Sequence, residues 1–234
     1  MKTMISIEDL TTVALRLEPL QEKCVFTGGS IIGLLLDHPD LVAVRPTYDV
    51  DTIIEVRTRI EYANLEERLR KLDFKHDMSE DAPKCRWLVD DIRVDIMPVT
   101  EQAGELSDKW FEHSFQTANK IRAGKAELWI VTAPSLIATK LNAFNDRGKD
   151  DFMGSHDMED IITVIDGRET LVDEIATSSP DIRQFIAATI AELLADERFR
   201  DSLPGHLPPD DASQQRLPIL IRRLQAIAEL ADQH

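Results

Sequence analysis

The apolar pattern of this chain changes period about midway, and that change limits the folds open to it. Up to about residue 130, short β-branched runs alternate with helical stripes. The runs are "CVFT" from Cys24, a stretch carrying Val50, Ile53, Ile54 and Val56, "FKH" from Phe74, "CRWLVDD" from Cys85 and "IRVDIMPV" from Ile92. Between them, Leu10, Val13, Ala14, Leu17 and Leu20 form one helical face, and about Ile60 to Leu72 form another. From Pro134 onward only helical spacing remains: "SLIATKLNAFNDR", "DMEDIITVIDG" ending at Gly167, two patterns around Ser179-Pro180, and a last helix "QQRLPILIRRLQAIAELADQH". "SLPGHLPPDDAS" reads as a linker or exposed loop. Period-2 runs need strand partners, and period-3.6 runs need a face to pack on. The expectation is an α/β (α+β) fold, with a mixed sheet and helices in residues 1–130 and an all-helical part in residues 131–234.

One run contains a contradiction. "RPTYDVDTIIEV" places Asp49 and Asp51 two positions apart at the opening of an apolar strand. Residues i and i+2 of a strand point the same way, about 6–7 Å apart at the backbone, so the two carboxylates repel unless a cation lies between them. A divalent metal fits that place, since Mg²⁺ takes carboxylate oxygens and keeps positions for substrate phosphates. Asp95 is a third acid, flanked by Val94 and Ile96, and burying it is costly unless it is paired or ligating. If its strand lies beside the first, Asp49, Asp51 and Asp95 converge, and such a trio can hold two metal ions for phosphoryl transfer. About twenty residues before the pair, Gly28, Gly29 and Ser30 form a turn between a strand and the helix "SIIGLLLD". Its backbone N–H groups and helix N-terminus suit a phosphate.

The order of these motifs resembles the DNA polymerase β-like nucleotidyltransferase superfamily, and within it the AbiEii-type family, many members of which are toxins of toxin–antitoxin and phage-defence pairs. The family pattern has an Arg and a Thr before the acid pair, matched by Arg45, Thr47, Asp49 and Asp51. It has a lysine helix, matched in "KLNAFNDR" by Lys140, Leu141, Ala143 and Arg147. A following acidic segment is matched by Asp157 and Asp160 in "HDMEDI", where His156 replaces the usual Arg and about five extra residues precede it. The likeness covers roughly residues 24 to 165. It implies Mg²⁺, two ions by the three-acid reading, and transfer of a nucleoside monophosphate from an NTP to an acceptor hydroxyl. Asp49, Asp51 and Asp95 would be metal ligands, with Asp95 also a candidate base. Gly28, Gly29, Ser30, Arg45, Thr47 and Lys140 would bind nucleotide, and Asp157 or Asp160 would orient Lys140 or reach the acceptor.

The residues allow these roles independently. A lysine beside Ile137 and Leu141 on a helix wants an anion, and a triphosphate is one. Arg45 suits either a phosphate or one of the acids. Trp87, Trp110 and Trp129 suit core packing better than base stacking, and Cys24 reads as a buried, reduced thiol. The net charge of −16 disfavours tight, sequence-independent nucleic-acid binding and favours solubility or a cationic substrate. A tRNA acceptor would need a basic face, for which Lys109, Lys120, Arg122 and Lys125 are the candidates, the alternative being a helix with solvated lysines. The acceptor thus stays open between tRNA, a small cationic molecule as in aminoglycoside nucleotidyltransferases, and a protein hydroxyl. A cognate antitoxin is the partner a toxin implies, and a degenerate, non-catalytic interaction protein is the alternative class. Nothing resembles a signal peptide or a membrane span, so the cytoplasm is the expected location.

Overall fold

The computed structural model describes residues 4–20, 22–40, 42–100, 108–148 and 150–232. Leu41 of the two-proline connection, Lys149 between the lysine helix and the acidic helix, and Gln233 and His234 at the end of the last helix lie outside the described residues. The chain divides into two compact units, residues 1–31 with 46–132, and residues 32–45 with 133–234. The segment Ile32–Arg45, which includes Arg45, therefore goes with the C-terminal helices although it precedes the acid pair.

The first unit is built on a sheet of seven strands: β1 (Cys24–Thr27), β2 (Val50–Ile54), β3 (Lys75–His76), β4 (Arg86–Val89), β5 (Ile92–Pro98), β6 (Asn119–Ala123) and β7 (Ala126–Ile130). Their order is β3-β4-β5-β2-β1-β7-β6. The sheet is mixed: β2 runs parallel to β5 and β1 parallel to β7, while the remaining neighbours are antiparallel. Central strands need apolar side chains on both faces, and Val25, Val50, Ile53, Ile54, Val94 and Ile96 are buried accordingly. The helix Ile7–Leu17 opens with Ser6 and Asp9 in a reciprocal capping box, and Arg59–Lys71 with Thr58 and Glu61 in another.

β4 and β5 form a hairpin that turns at Asp90-Asp91, with both residues at positive φ, 48° and 65°. That is the conformation a two-residue type I′ turn demands. The hairpin β6–β7 was not legible as strands, and of the helix considered for Lys109, Lys120, Arg122 and Lys125 only Phe111–Gln116 is helical. β6 is a sheet edge with Asn119, Lys120 and Arg122 exposed, so it lacks the alternation of a half-buried strand. Exposed charge on an edge blocks pairing with other chains. Lys120 is also paired with Glu127 across the hairpin, at 2.5 Å.

The second unit is helical. Ala133–Arg147, His156–Gly167, Leu171–Thr177, Pro180–Ala195 and Leu217–Glu229 are its main helices. Three expectations are corrected. The last helix breaks at Gln215–Arg216, because Pro218 in its first turn lacks the N–H that would continue the preceding short helix Asp211–Gln214. "SLPGHLPPDDAS" is no loose linker: Leu203 and Leu207 are buried, and Leu203–His206 forms a 3₁₀ turn. "SIIGLLLD" is a 3₁₀ turn, Gly29–Ile31, followed by a single helical turn, Ile32–Leu35, too short to build up a helix dipole. No helix among the described residues is long and apolar enough to cross a membrane.

Candidate functional site

Strand register brings the acids of the first unit together. Thr27 of β1 pairs with Asp51 of β2, Asp51 with Asp95 of β5, and Asp95 with Arg86 of β4. In-register residues share a face, so these four polar side chains form one row across the apolar centre of the sheet. Asp49, two positions before Asp51, extends the row at its open end. Gly28, directly after β1, has φ +74° and lies against Asp51: a Cβ there would stand 1.9 Å from Asp51 Oδ2. The glycine is therefore required twice, by the backbone and by the carboxylate. The hydroxyl oxygens of Ser30 and Thr47 are buried without a hydrogen-bond partner among the described residues. Each unmade bond costs about 1–3 kcal/mol, which a ligand oxygen placed there would relieve.

A guanidinium lies among the acids. Arg86 Nη2 donates to Asp49 Oδ2 and Asp95 Oδ2, and Nε donates to Asp95 Oδ1, all at 2.7 Å. Burial pushes the Asp95 carboxyl above its ordinary value, and the bonds from Arg86 offset this only in part. The same carboxylates raise the Arg86 pKa further, so its charge is permanent. Among the described residues no group of three Asp, Glu, His or Cys could hold a metal ion. Asp49 and Asp51 do fit one ion of the Mg²⁺ kind, which is commonly held by one or two carboxylates together with substrate phosphates. The packing of Asp51 on Gly28 and the orphaned Ser30 hydroxyl place suitable oxygens and a donor on the same turn and strand. Asp95, the third acid, is bonded through both oxygens to Arg86, and Asp49 through one.

In the second unit the lysine helix and the acidic helix supply a different cluster. Asp157 and Asp160, three residues apart on one helical face, both accept from Lys140 Nζ, at 3.0 and 2.7 Å. Arg45 binds Asp160 with two nitrogens, at 2.7 and 2.9 Å. Arg147, one of the residues matching the lysine-helix motif, binds Asp157 at 2.9 Å. Burial alone would lower the Lys140 pKa, but Asp160 and Asp157 overcome it and hold the lysine above its usual value. Burial likewise opposes ionisation of Asp157, and Lys140 and Arg147 reverse this, so its pKa is depressed. Both acids thus orient the lysine, and of the two partners open to Arg45 the structure shows an acid. Three cations share these two carboxylates.

Other candidates fall away. Trp87 is fully buried, and Trp129 lies under the Lys23 ammonium, 4.3 Å from its ring centre. Cys24 is half-buried and Cys85 buried, both free, and burial pushes each thiol up to about 12, far from a reactive thiolate. A separate cavity of about 470 Å³, lined by Glu22, Glu55, Arg57, Glu61 and Arg68, contains none of the expected residues. Its charges are largely spent on each other, as in Arg68–Glu22 at 2.5 Å.

Arg86 is the residue the motifs missed. Its signal was present: a two-residue turn at Asp90-Asp91 fixes the register, and counting back from it on both sides sets Arg86 opposite Asp95.

Compared with solved structures, the chain is similar to an antigenic nucleotidyltransferase-like protein from Paracoccidioides brasiliensis. The TM-score is 0.53 at 16% identity, covering 88% of this chain and 95% of that one. The fold is nucleotidyltransferase-like. A second similar structure is the antibiotic-resistance factor ANT(2'')-Ia in solution, with a TM-score of 0.48 at 14% identity over 83% of this chain and 96% of that one. No family model and no curated protein matches the sequence, so the AbiEii-type likeness rests on the motifs alone.

Proposed function

We propose that the protein is a Mg²⁺-dependent nucleotidyltransferase that moves a nucleoside monophosphate from an NTP to an acceptor hydroxyl. What supports this is the Asp51 carboxylate packed on the positive-φ Gly28, two positions from Asp49, with the unpartnered Ser30 hydroxyl two residues further along the turn. In the reaction the acceptor oxygen bonds to the α-phosphorus as the α–β bridging bond breaks. Pyrophosphate leaves with the electron pair, and the hydroxyl proton passes to water or a carboxylate. A bound Mg²⁺ would supply charge neutralisation on the phosphates. Asp49 and Asp51 hold that ion, Gly28, Gly29 and Ser30 cradle phosphate oxygens, and Thr47 offers a further hydroxyl. Within the second unit, Lys140, steadied by Asp157 and Asp160, and the Arg45 guanidinium are that unit's own candidates for meeting a phosphate.

The test is incubation with each labelled NTP and, separately, total tRNA, lysate protein and a panel of cationic small molecules. Label entering one pool, and lost in Asp49→Asn/Asp51→Asn, supports the reading; no label in any pool refutes it. A tRNA-directed toxin would in addition be neutralised by a cognate antitoxin, which co-expression with neighbouring genes would reveal. One observation favours a non-catalytic binding protein instead: Arg86 already satisfies Asp49 and Asp95. ATP with Mg²⁺ raising the melting temperature, and the acid-pair variant abolishing that rise, would argue against it.

A further inference from the structure

We propose that the outer edge of β6 is a docking site for an extended, acidic segment of another protein, which adds to the sheet as a further strand. The inference stands apart from the nucleotidyltransferase reading, since it uses none of the residues assigned to nucleotide or metal. The two edges of the sheet are unlike. β3 is only two residues long, Lys75–His76, and shortness is one way in which a protein blunts an edge. β6, at the other edge, has five residues, Asn119–Ala123, without proline and in unbroken register with β7. Among the described residues no strand lies beyond it.

Counting from the turn shows which groups of β6 are open. The turn is Gly124-Lys125, with Gly124 at φ +57°, the first central position that a type II′ turn gives to glycine. The hydrogen-bonded pairs of such a hairpin are Ala123 with Ala126, Ile121 with Leu128, and Asn119 with Ile130. Lys120 and Arg122 therefore turn their N–H and C=O away from β7, and among the described residues neither makes a backbone hydrogen bond on that side. Their side chains are exposed on one face, where the carboxylate they share is Glu127, opposite Arg122 and 2.5 Å from Lys120. Two cations against one carboxylate leave the edge positive, with exposed Lys125 adding to it at the turn, in a chain whose net charge is −16. Charge guards an edge against unselective pairing, and here it also selects the occupant. In a second copy laid antiparallel on the same edge, Lys120 would face Arg122, and like charges directly opposite are destabilising. A polynucleotide meets the charges but cannot continue the ladder. A strand with Asp or Glu at two alternate positions pairs both side chains while its backbone takes up the open N–H and C=O groups.

The test uses the full-length protein and a fluorescently labelled peptide, acetyl-Thr-Glu-Val-Glu-Thr-amide, with affinity read by polarisation and the site by amide hydrogen exchange. The peptide should bind, should slow exchange of the Lys120 and Arg122 amides, and should bind roughly tenfold more tightly than its counterpart with Lys in place of both Glu. N-methylating the two Glu amides keeps every charge and removes the ladder bonds, so it should abolish binding. Lys120→Glu/Arg122→Glu should transfer the preference to the Lys peptide. Failure of the Glu peptide to bind, unslowed amides, or equal binding of the N-methylated form overturns the inference, and these comparisons need no variant. A double variant that keeps the wild-type preference while folded also overturns it; its fold is checked by tryptophan emission, since Trp129 stands opposite Lys120. A uridine oligonucleotide that binds this edge more tightly than the Glu peptide overturns it in favour of RNA. None of these results bears on the nucleotidyltransferase reading, which the labelling experiment tests separately.

Discussion

Replacing Gly28 by alanine separates backbone strain from damage to the acid pair. Two effects add at this position. An L-residue at φ +74° occupies the left-handed region, at about 1–2 kcal/mol. The new Cβ would also lie 1.9 Å from Asp51 Oδ2. The side chain must therefore leave its rotamer, for about 0.5–1.5 kcal/mol more. Gly124→Ala is the control, since Gly124 has φ +57° but its Cβ would meet Thr11 Oγ1 at 3.1 Å and Ile7 Cγ2 at 3.9 Å, with no carboxylate to displace. Gly28→Ala should therefore cost about 1.5–3.5 kcal/mol and Gly124→Ala about 1–2 kcal/mol. At a urea m-value of about 2 kcal/mol/M the first variant shifts the midpoint down by roughly 0.75–1.75 M, and the second by roughly 0.5–1 M. All three tryptophans, Trp87, Trp110 and Trp129, lie in the first unit, so intrinsic fluorescence reports its unfolding selectively. Mn²⁺ binding provides the second readout: it should weaken in Gly28→Ala and stay unchanged in Gly124→Ala. Equal midpoints for the two variants, or unimpaired Mn²⁺ binding in Gly28→Ala, would refute the contact between Gly28 and Asp51 as the reason for the glycine.

Further expectations concern the other residues. Lys140→Met should weaken NTP binding by about 1.5–3 kcal/mol in calorimetry, the worth of a hydrogen bond to a charged group; unchanged affinity would remove Lys140 from the phosphate. Asp160→Asn should destabilise more than Asp157→Asn in thermal melts. Asp160 is 1% exposed and binds both Arg45 and Lys140, whereas Arg147, one partner of Asp157, is 71% exposed. The depressed pKa of Asp157 means that its stabilisation is present above the unfolded value, about 3.9, and is lost as pH falls through the lower folded value. The melting-temperature gap between wild type and Asp157→Asn should accordingly be full at pH 6 and close below about pH 4. Reversing Lys120, Arg122 and Lys125 to Glu should abolish labelling of tRNA while sparing NTP binding, if tRNA is the acceptor. Labelling that survives would leave those side chains without a role toward tRNA.

Much of the first unit is determined by the sequence itself, because the decisive signals are local. Short runs of β-branched apolar residues make β2 and β5 strands, two capping boxes start two helices, and a pair of aspartates at a hairpin turn sets the β4–β5 register. Asp49 and Asp51 announce themselves because two like charges opening an apolar strand need an explanation within that strand. The β6–β7 hairpin was illegible for the converse reason: an exposed edge strand lacks the buried face that creates alternation. Local pattern also cannot say which strands become neighbours. Only the tertiary structure sets β2 parallel to β5 and aligns Asp51 with Asp95, because that choice depends on packing across some forty residues of intervening chain. The same holds for Lys140, whose two carboxylate partners come from a separate helix, and for Arg45, which approaches Asp160 from a segment more than a hundred residues away. Arg86 combines the two. Its partner across the hairpin follows from counting along the chain, but its reach to Asp49 exists only once β2 and β5 lie side by side. Burial then makes that proximity matter, since a charge removed from water must be met by another charge.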